Sequence, residues 1–333
     1  MDLSQFKRIF WMEYTHRLWG RVIGLATLVP TIYFIARRRV SLPMARNLLV
    51  INCLIGLQGG VGWWMVKSGL KDDLFAQGSH PRVSQYRLAT HLGLAFTVYT
   101  SMLWNGLQTF REGVLVSKSQ PNRAESLLKR LANPHLSNLR YGTAGLVFLV
   151  ATTALGGALV AGLDAGLIYN EFPYMGLGLT PPKTELFSDF YSRKSGDRWW
   201  RNMFENPSLV QLNHRILATT TFCAVHAVWI YARFNPKVKA GLTRGARRTL
   251  NVMLGLVWLQ VTLGITTLLY LVPVPVAAAH QAGSLVLLTS VVVLGSRVWT
   301  PPRLWRLVAR RVAYLKTMQS RRGVNWQKSG EAS

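Results

Sequence analysis

Seven runs of about twenty predominantly apolar residues, at roughly 16–36, 47–66, 88–110, 142–163, 212–232, 249–271 and 276–296, dominate this 333-residue chain. Twenty residues is the length at which an α-helix crosses a hydrocarbon layer of ~30 Å. Inside that layer the chain must satisfy its own backbone polar groups, which a helix does within one segment. A core helix of a water-soluble protein would show a polar stripe every three to four residues. Residues 142–163 (GTAGLVFLVATTALGGALVAGL) show none. The fold class is therefore all-α, a polytopic membrane protein with seven transmembrane helices.

The net charge of +26 raises nucleic acid as a partner. Its distribution points to a lipid bilayer instead. The segments after the first, third, fifth and seventh spans hold 25 Lys and Arg against only Glu112, Glu125 and Glu331. The rest of the chain holds 14 basic and 10 acidic residues. Lys and Arg are retained on the side from which a membrane protein inserts. Odd-numbered spans thus run from the outer to the inner side, the C-terminus is inside, and nucleic acid is not an expected partner. Cys53 and Cys223 each lie within a span and lack a CxxC partner, as small apolar residues would. No cleavable signal or Arg/Ser-rich transit segment precedes the first span, so either targeting is internal or the sequence starts late.

A weak internal repeat organises the chain. His16-Arg17 opens the first span and His214-Arg215 the fifth. The second carries Leu57-Gln58 with Gly62, and the sixth carries Leu259-Gln260 with Gly264. His91 lies in the first turns of the third span and His280 in those of the seventh. Spans one to three thus match spans five to seven in the same direction, the pattern of parallel repeats about an axis along the membrane normal. The fourth span has no counterpart ahead of the first. The repeat predicts eight helices in two pseudo-repeated bundles, and hence a first helix missing from this sequence. The expected divisions are an N-terminal half-bundle (1–110), a basic inner loop (111–141), a C-terminal four-helix half-bundle (142–296) and a basic inner tail (297–333). The outer loop 164–211, rich in aromatic and charged residues, is either a cap on the bundle or a solvated loop with interfacial aromatics.

Four of the seven histidines share a pattern: His16, His91, His214 and His280 each sit near the outer start of an outward-to-inward span. Polar groups at this depth are costly and usually functional. Two imidazoles facing each other at equal depth are what six-coordinate haem iron requires, with apolar helices forming the slot for the ring. Zinc or copper is the competing metal; zinc wants three or four close ligands, and no Cys or Glu completes either pair. His226 lies twelve residues beyond His214, ~18 Å deeper. His80 and His135 adjoin Pro81 and Pro134 in loops. These three are expected to be structural or exposed.

The two halves differ at one place. Three residues before His16 stands Glu13; three before His214 stands Gln211. Residues at this spacing share a helix face. A carboxylate moves protons or stabilises positive charge, whereas an amide only hydrogen-bonds. The difference reads as a reaction site beside an electron-holding site, against the plainer reading of Glu13 as a helix-start acid. Arg17 and Arg215 either pair with haem propionates or snorkel to the interface.

The ordered stretches Phe10–Arg17, Pro81–His91, Ala161–Gly166 with Asn170 and Phe172-Pro173, Phe204–Pro207 leading to His214-Arg215, and His280–Ser284 resemble the mitochondrial-type heme A synthase family over residues 6–296. The resemblance implies eight helices in two four-helix halves. It implies an oxidoreductase that converts the C8 methyl of haem O to a formyl group, giving haem A for cytochrome c oxidase. It further implies that His214 and His280 ligate a haem b cofactor, that His16 and His91 bind the substrate haem, and that Glu13 is catalytic. The location implied is the mitochondrial inner membrane (the plasma membrane in a bacterium). The partners implied are the enzyme supplying haem O and a ferredoxin-type donor, with a homo-oligomer left open. The family's first helix and first outer loop have no match here.

Two other readings stand beside it. A two-haem electron-transfer cytochrome would place its haems at different depths, whereas all four histidines lie near one face. A non-catalytic assembly or transport protein would leave the histidine pairs without a purpose. Reporter fusions after residues 38, 125, 240 and 320 are expected to report the inner side, and fusions near residues 75 and 190 the outer side. The inverted pattern would overturn both the charge argument and the shared depth of the histidines.

Overall fold

The chain is seen in a computed structural model that describes residues 2–69, 83–117, 126, 129, 132–299 and 305–318. His80, Pro81 and Arg82, part of the inner loop and most of the basic tail lie outside the described residues. Seven long helices carry the fold: α1 (Leu3–Ala36), α2 (Leu42–Ser68), α3 (Gln85–Ser117), α4 (Leu136–Gly162), α5 (Pro207–Phe234), α6 (Arg244–Leu269) and α7 (Val274–Val298). Six of them, all but α3, are long and apolar enough to cross a membrane. At 33 residues α3 has the length, but His91, Asn105 and Gln108 dilute its apolar character.

Each helix outruns the apolar run that predicts it, because polar residues extend it beyond the hydrocarbon boundary. α1 starts thirteen residues before His16, so this histidine lies well inside its helix rather than at the start. The start is fixed by Asp2, whose side chain accepts from the backbone N–H of Ser4 and Gln5 while the Gln5 side chain accepts from that of Asp2. This reciprocal capping satisfies otherwise orphaned donors. α5 begins at Pro207, with Asn206 accepting from the Ser208 and Leu209 N–H groups. Proline needs no N–H partner and is preset for a first helical turn.

The chain divides into two compact units, Met1–Met102 and Leu103–Ser333, the division falling within α3. In the first, α1 packs on α2, and Asn52 of α2 donates to Thr31 of α1 at 3.0 Å. Arg87 of α3 stacks on Trp64 of α2, 4.2 Å from the ring centre, and donates to its carbonyl. In the second unit α4, α5, α6 and α7 close a ring. Its buried core lies in the inner half: Leu146 and Val150 of α4, Val225 of α5, Met253 and Val257 of α6, and Leu288, Val291 and Leu294 of α7. In the outer half packing thins, and no residue of 151–157, 213–220, 261–269 or 274–286 is buried. That is the level of His214 and His280.

The outer loop is a folded cap on α5. Met175, fully buried, packs with Leu209 and Leu212 of that helix. Glu185 accepts from the Tyr169 hydroxyl at 2.6 Å and from Ser208 at 3.1 Å. Desolvation and this carboxylate push the Tyr169 phenol up to about 12. A short helix, Arg198–Glu205, is tied down by Arg201, which bridges Asp197 and Glu205 at 2.5 and 2.8 Å. At Asp197 desolvation pulls the pKa upward, but hydrogen bonds from Arg201, Ser192 and the backbone of residues 193 and 194 outweigh it and hold the carboxyl at about 2.

A carboxyl depressed in the fold contributes stability above its ordinary value and loses it as pH falls toward its folded one. Hydrogen exchange across residues 192–205 is therefore expected to be slow at neutral pH and to accelerate between about pH 4 and pH 2. Asp197→Asn should produce that acceleration at neutral pH already. Equal exchange in variant and parent would sever the cap from this network.

Candidate functional site

The first unit brings His16 of α1 and His91 of α3 together, their ring centroids 6.3 Å apart and their planes at 70°. An iron midway would stand about 3 Å from each ring centre, roughly one metal–imidazole bond of 2.0–2.1 Å plus the ~1 Å from nitrogen to ring centre. The spacing fits two axial ligands of one iron. Beside His16, Trp11, Met12, Thr15 and Trp19 share its helix face and border an open pocket of about 560 Å³. On the other side His91 rests on Gly62 of α2, where a Cβ would lie 2.9 Å from the imidazole Cε1. The Gln58 amide donates to His91 Nε2 at 3.3 Å, while Nδ1 of His91 is buried with no hydrogen-bond partner.

The second unit seats its two histidines in the same way. His214 of α5 and His280 of α7 lie within electrostatic reach of each other. His280 rests on Gly264 of α6, with Cε1 3.1 Å from where a Cβ would stand, and His214 rests in the same way on Gly157 of α4. Nδ1 of both is buried and unpaired. Paired imidazoles, thin packing around them and no group of three or more His, Cys, Asp or Glu among the described residues suit a planar bis-histidine ligand better than a compact zinc cage.

The remaining predicted residues divide. Glu13 is half-exposed and forms an ion pair with Arg17, one turn further along α1. Its counterpart Gln211 is buried at 2% exposure and donates to the Tyr169 carbonyl at 2.8 Å. Arg215 reaches the same carbonyl and those of Glu171, Pro173 and Tyr174. Neither arginine is directed only at the lipid interface: one neutralises a carboxylate and the other clamps the cap. His226 donates to the Phe222 carbonyl at 2.8 Å and packs on Phe222 and Trp258, the structural role expected of it. His135 is an exposed residue at the start of α4. Sequence reasoning missed Gly157 and the Arg215 clamp. The glycine was hidden among the many small residues of α4. The signal for the clamp, a conformationally restricted Phe172-Pro173 opposite an intramembrane arginine, needs a fold to be read.

Helices of this length and composition define a polytopic α-helical membrane protein, with histidines set between its helices. The sequence model of the family described as cytochrome oxidase assembly protein (COX15-CtaA) matches residues 1–292. Heme A synthase COX15 of Saccharomyces cerevisiae is 47% identical over 304 residues, covering 90% of this chain and 62% of the yeast protein. A Heme A synthase-mitochondrial ferredoxin fusion protein of Schizosaccharomyces pombe is 46% identical over 302 residues, 90% of this chain and 48% of the fusion. Heme A synthase of the bacterium Nitrosospira multiformis is 42% identical over 290 residues, 87% of this chain and 72% of that protein. The chain belongs to the COX15-CtaA family, and it spans about half to three fifths of the length of the two fungal relatives.

Proposed function

We propose that this chain acts as a heme A synthase in the mitochondrial inner membrane, oxidising the C8 methyl of haem O to a formyl group. Haem O would come from the enzyme that makes it, and haem A would go to cytochrome c oxidase. The observation that carries the reading is a pair of matching imidazole sites of which only one has a carboxylate, Glu13, one turn from its first histidine. Family membership supports the substrate class.

In this reading His16 and His91 hold the substrate haem, with Trp11 and Trp19 offering apolar surface to the ring beside His16. The Gln58 amide competes for the His91 Nε2 lone pair, which suits a site that must release its product. Gln260 makes no such bond to His280; its amide nitrogen is buried beside Gly283 without a partner. His214 and His280 would hold haem b, which supplies reversible one-electron storage when bound. Glu13 would accept protons lost from the methyl carbon or stabilise positive charge developing there. Arg17, paired with it, holds the carboxylate in place. The fungal fusion protein joins a synthase to a ferredoxin in one name, and a ferredoxin is the donor we propose.

His214→Ala and His280→Ala, expressed in the full chain, are each expected to abolish the low-spin haem b spectrum, with His226→Ala as an unaffected control. Retention of that spectrum by both would refute the cofactor pair.

Glu13→Gln keeps shape and a hydrogen bond but removes the charge. It should fold and hold haem b, yet accumulate haem O or the corresponding alcohol. Haem A formation should fall about 10²–10⁴-fold, the usual contribution of a positioned acid–base group. Near-normal haem A from that variant would reduce Glu13 to a helix-end acid.

A further inference from the structure

Three of the four paired histidines rest on a glycine of a neighbouring helix, and the three contacts follow one rule. Gly62 lies under His91, Gly157 under His214 and Gly264 under His280; in each case the atom nearest the position of a Cβ is the imidazole Cε1, at 2.9, 3.1 and 3.1 Å. Four residues earlier on the supporting helix stand Gln58, Thr153 and Gln260. Of these, Gln58 reaches the same imidazole with its side-chain amide, 3.3 Å from His91 Nε2. Gly156, next to Gly157, also touches His214, but through Nδ1 at 3.4 Å, and other glycines of these helices stand clear of the imidazoles. A Cβ on Gly60 of α2, Gly145 of α4 or Gly255 of α6 would meet nothing within 4 Å. The close approach to Cε1 thus singles out one glycine on each supporting helix, and it recurs in both units.

We propose that Gly62, Gly157 and Gly264 are positioning residues that set the orientation of the axial imidazoles by fixing how closely each ring lies against its neighbouring helix. A bare glycine lets the imidazole edge rest against the helix backbone. A methyl at 2.9–3.1 Å from Cε1 pushes the ring away by a few tenths of an ångström and turns it. Ligating histidines generally have their second nitrogen fixed by a carbonyl or carboxylate, which sets ring orientation and ligand basicity. Here the unpaired Nδ1 atoms of His91, His214 and His280 are the groups whose environment the seats govern. Ring orientation and ligand basicity set a haem's reduction potential and low-spin signature. The inference rests on the proposed haem ligation and adds to it which residues tune it.

The test compares Gly62→Ala, Gly157→Ala and Gly264→Ala with Gly60→Ala, Gly145→Ala and Gly255→Ala, each control on the same helix as its partner. Helix propensity changes alike within each pair, so only the seat differs. Low-temperature electron paramagnetic resonance and potentiometric titration are read on purified protein, with thermal unfolding as the check on folding. Gly157→Ala and Gly264→Ala should shift the g-values and midpoint potential of the haem b centre while retaining haem. Gly62→Ala should shift those of the substrate haem and leave haem b unchanged. The three controls should match the parent. Seat variants that match their controls would overturn the proposal. So would a set in which every seat variant fails to fold while every control folds, because the glycines would then serve helix packing alone. Absence of haem from the parent protein would refute the ligation reading itself, a distinct result.

Discussion

An imidazole inside a bilayer is the interaction on which the rest of this structure depends. A polar ring at that depth is expensive unless something engages it, and four such rings in one chain must each be given a neighbour. The fold supplies neighbours by bringing helices together through glycine: α2 approaches His91 at Gly62, α4 approaches His214 at Gly157, and α6 approaches His280 at Gly264. Small residues are the usual means of close helix approach in lipid, where no hydrophobic effect drives helices together. Here the approach is used to reach a side chain rather than a backbone. The second unit shows the consequence for packing. Its inner half is filled by Leu, Val and Met, while its outer half, at the histidine level, contains no buried residue in the four segments around the pair.

Much of this was legible in the sequence because membranes simplify the physics. Apolar runs of spanning length gave the helices, since such runs respond to one dominant medium. The matched offsets Gln58–Gly62 and Gln260–Gly264 were readable as a repeat, and the structure gives them a purpose beneath His91 and His280. What escaped was whatever depends on water-exposed polar chemistry. Helix starts were placed too late because a capped, polar first turn, such as that of Asp2 and Gln5, lies outside any apolar window. The cap over α5 was indistinguishable from a solvated loop because its order comes from a network of Asn202, Asn206, Glu185 and Arg201. Those residues make their bonds across separations of four to more than twenty positions. No periodicity announces such a network.

The pair of positions that looked most alike in the sequence turned out to be used differently. Glu13-x-x-His16-Arg17 and Gln211-x-x-His214-Arg215 have the same spacing, so each acidic or amide group lies one turn from an arginine. In the second unit both polar groups are consumed by the cap: Gln211 and Arg215 converge on the Tyr169 carbonyl, and Arg215 goes on to three more. Their hydrogen bonds hold protein to protein, and an amide suffices for that. In the first unit Glu13 and Arg17 satisfy each other. An ion pair between half-exposed partners contributes little to stability, so stability is a weak reason for a carboxylate there. What the pair does offer is a carboxylate oxygen, held by its arginine, one turn from an imidazole whose partner across 6.3 Å is engaged by an exchangeable amide. One half of the molecule has committed its polar side chains to architecture, and the other has left a charged group available for chemistry. That difference, rather than the histidines they share, is the physical basis of the proposal that one site stores electrons and the other reacts.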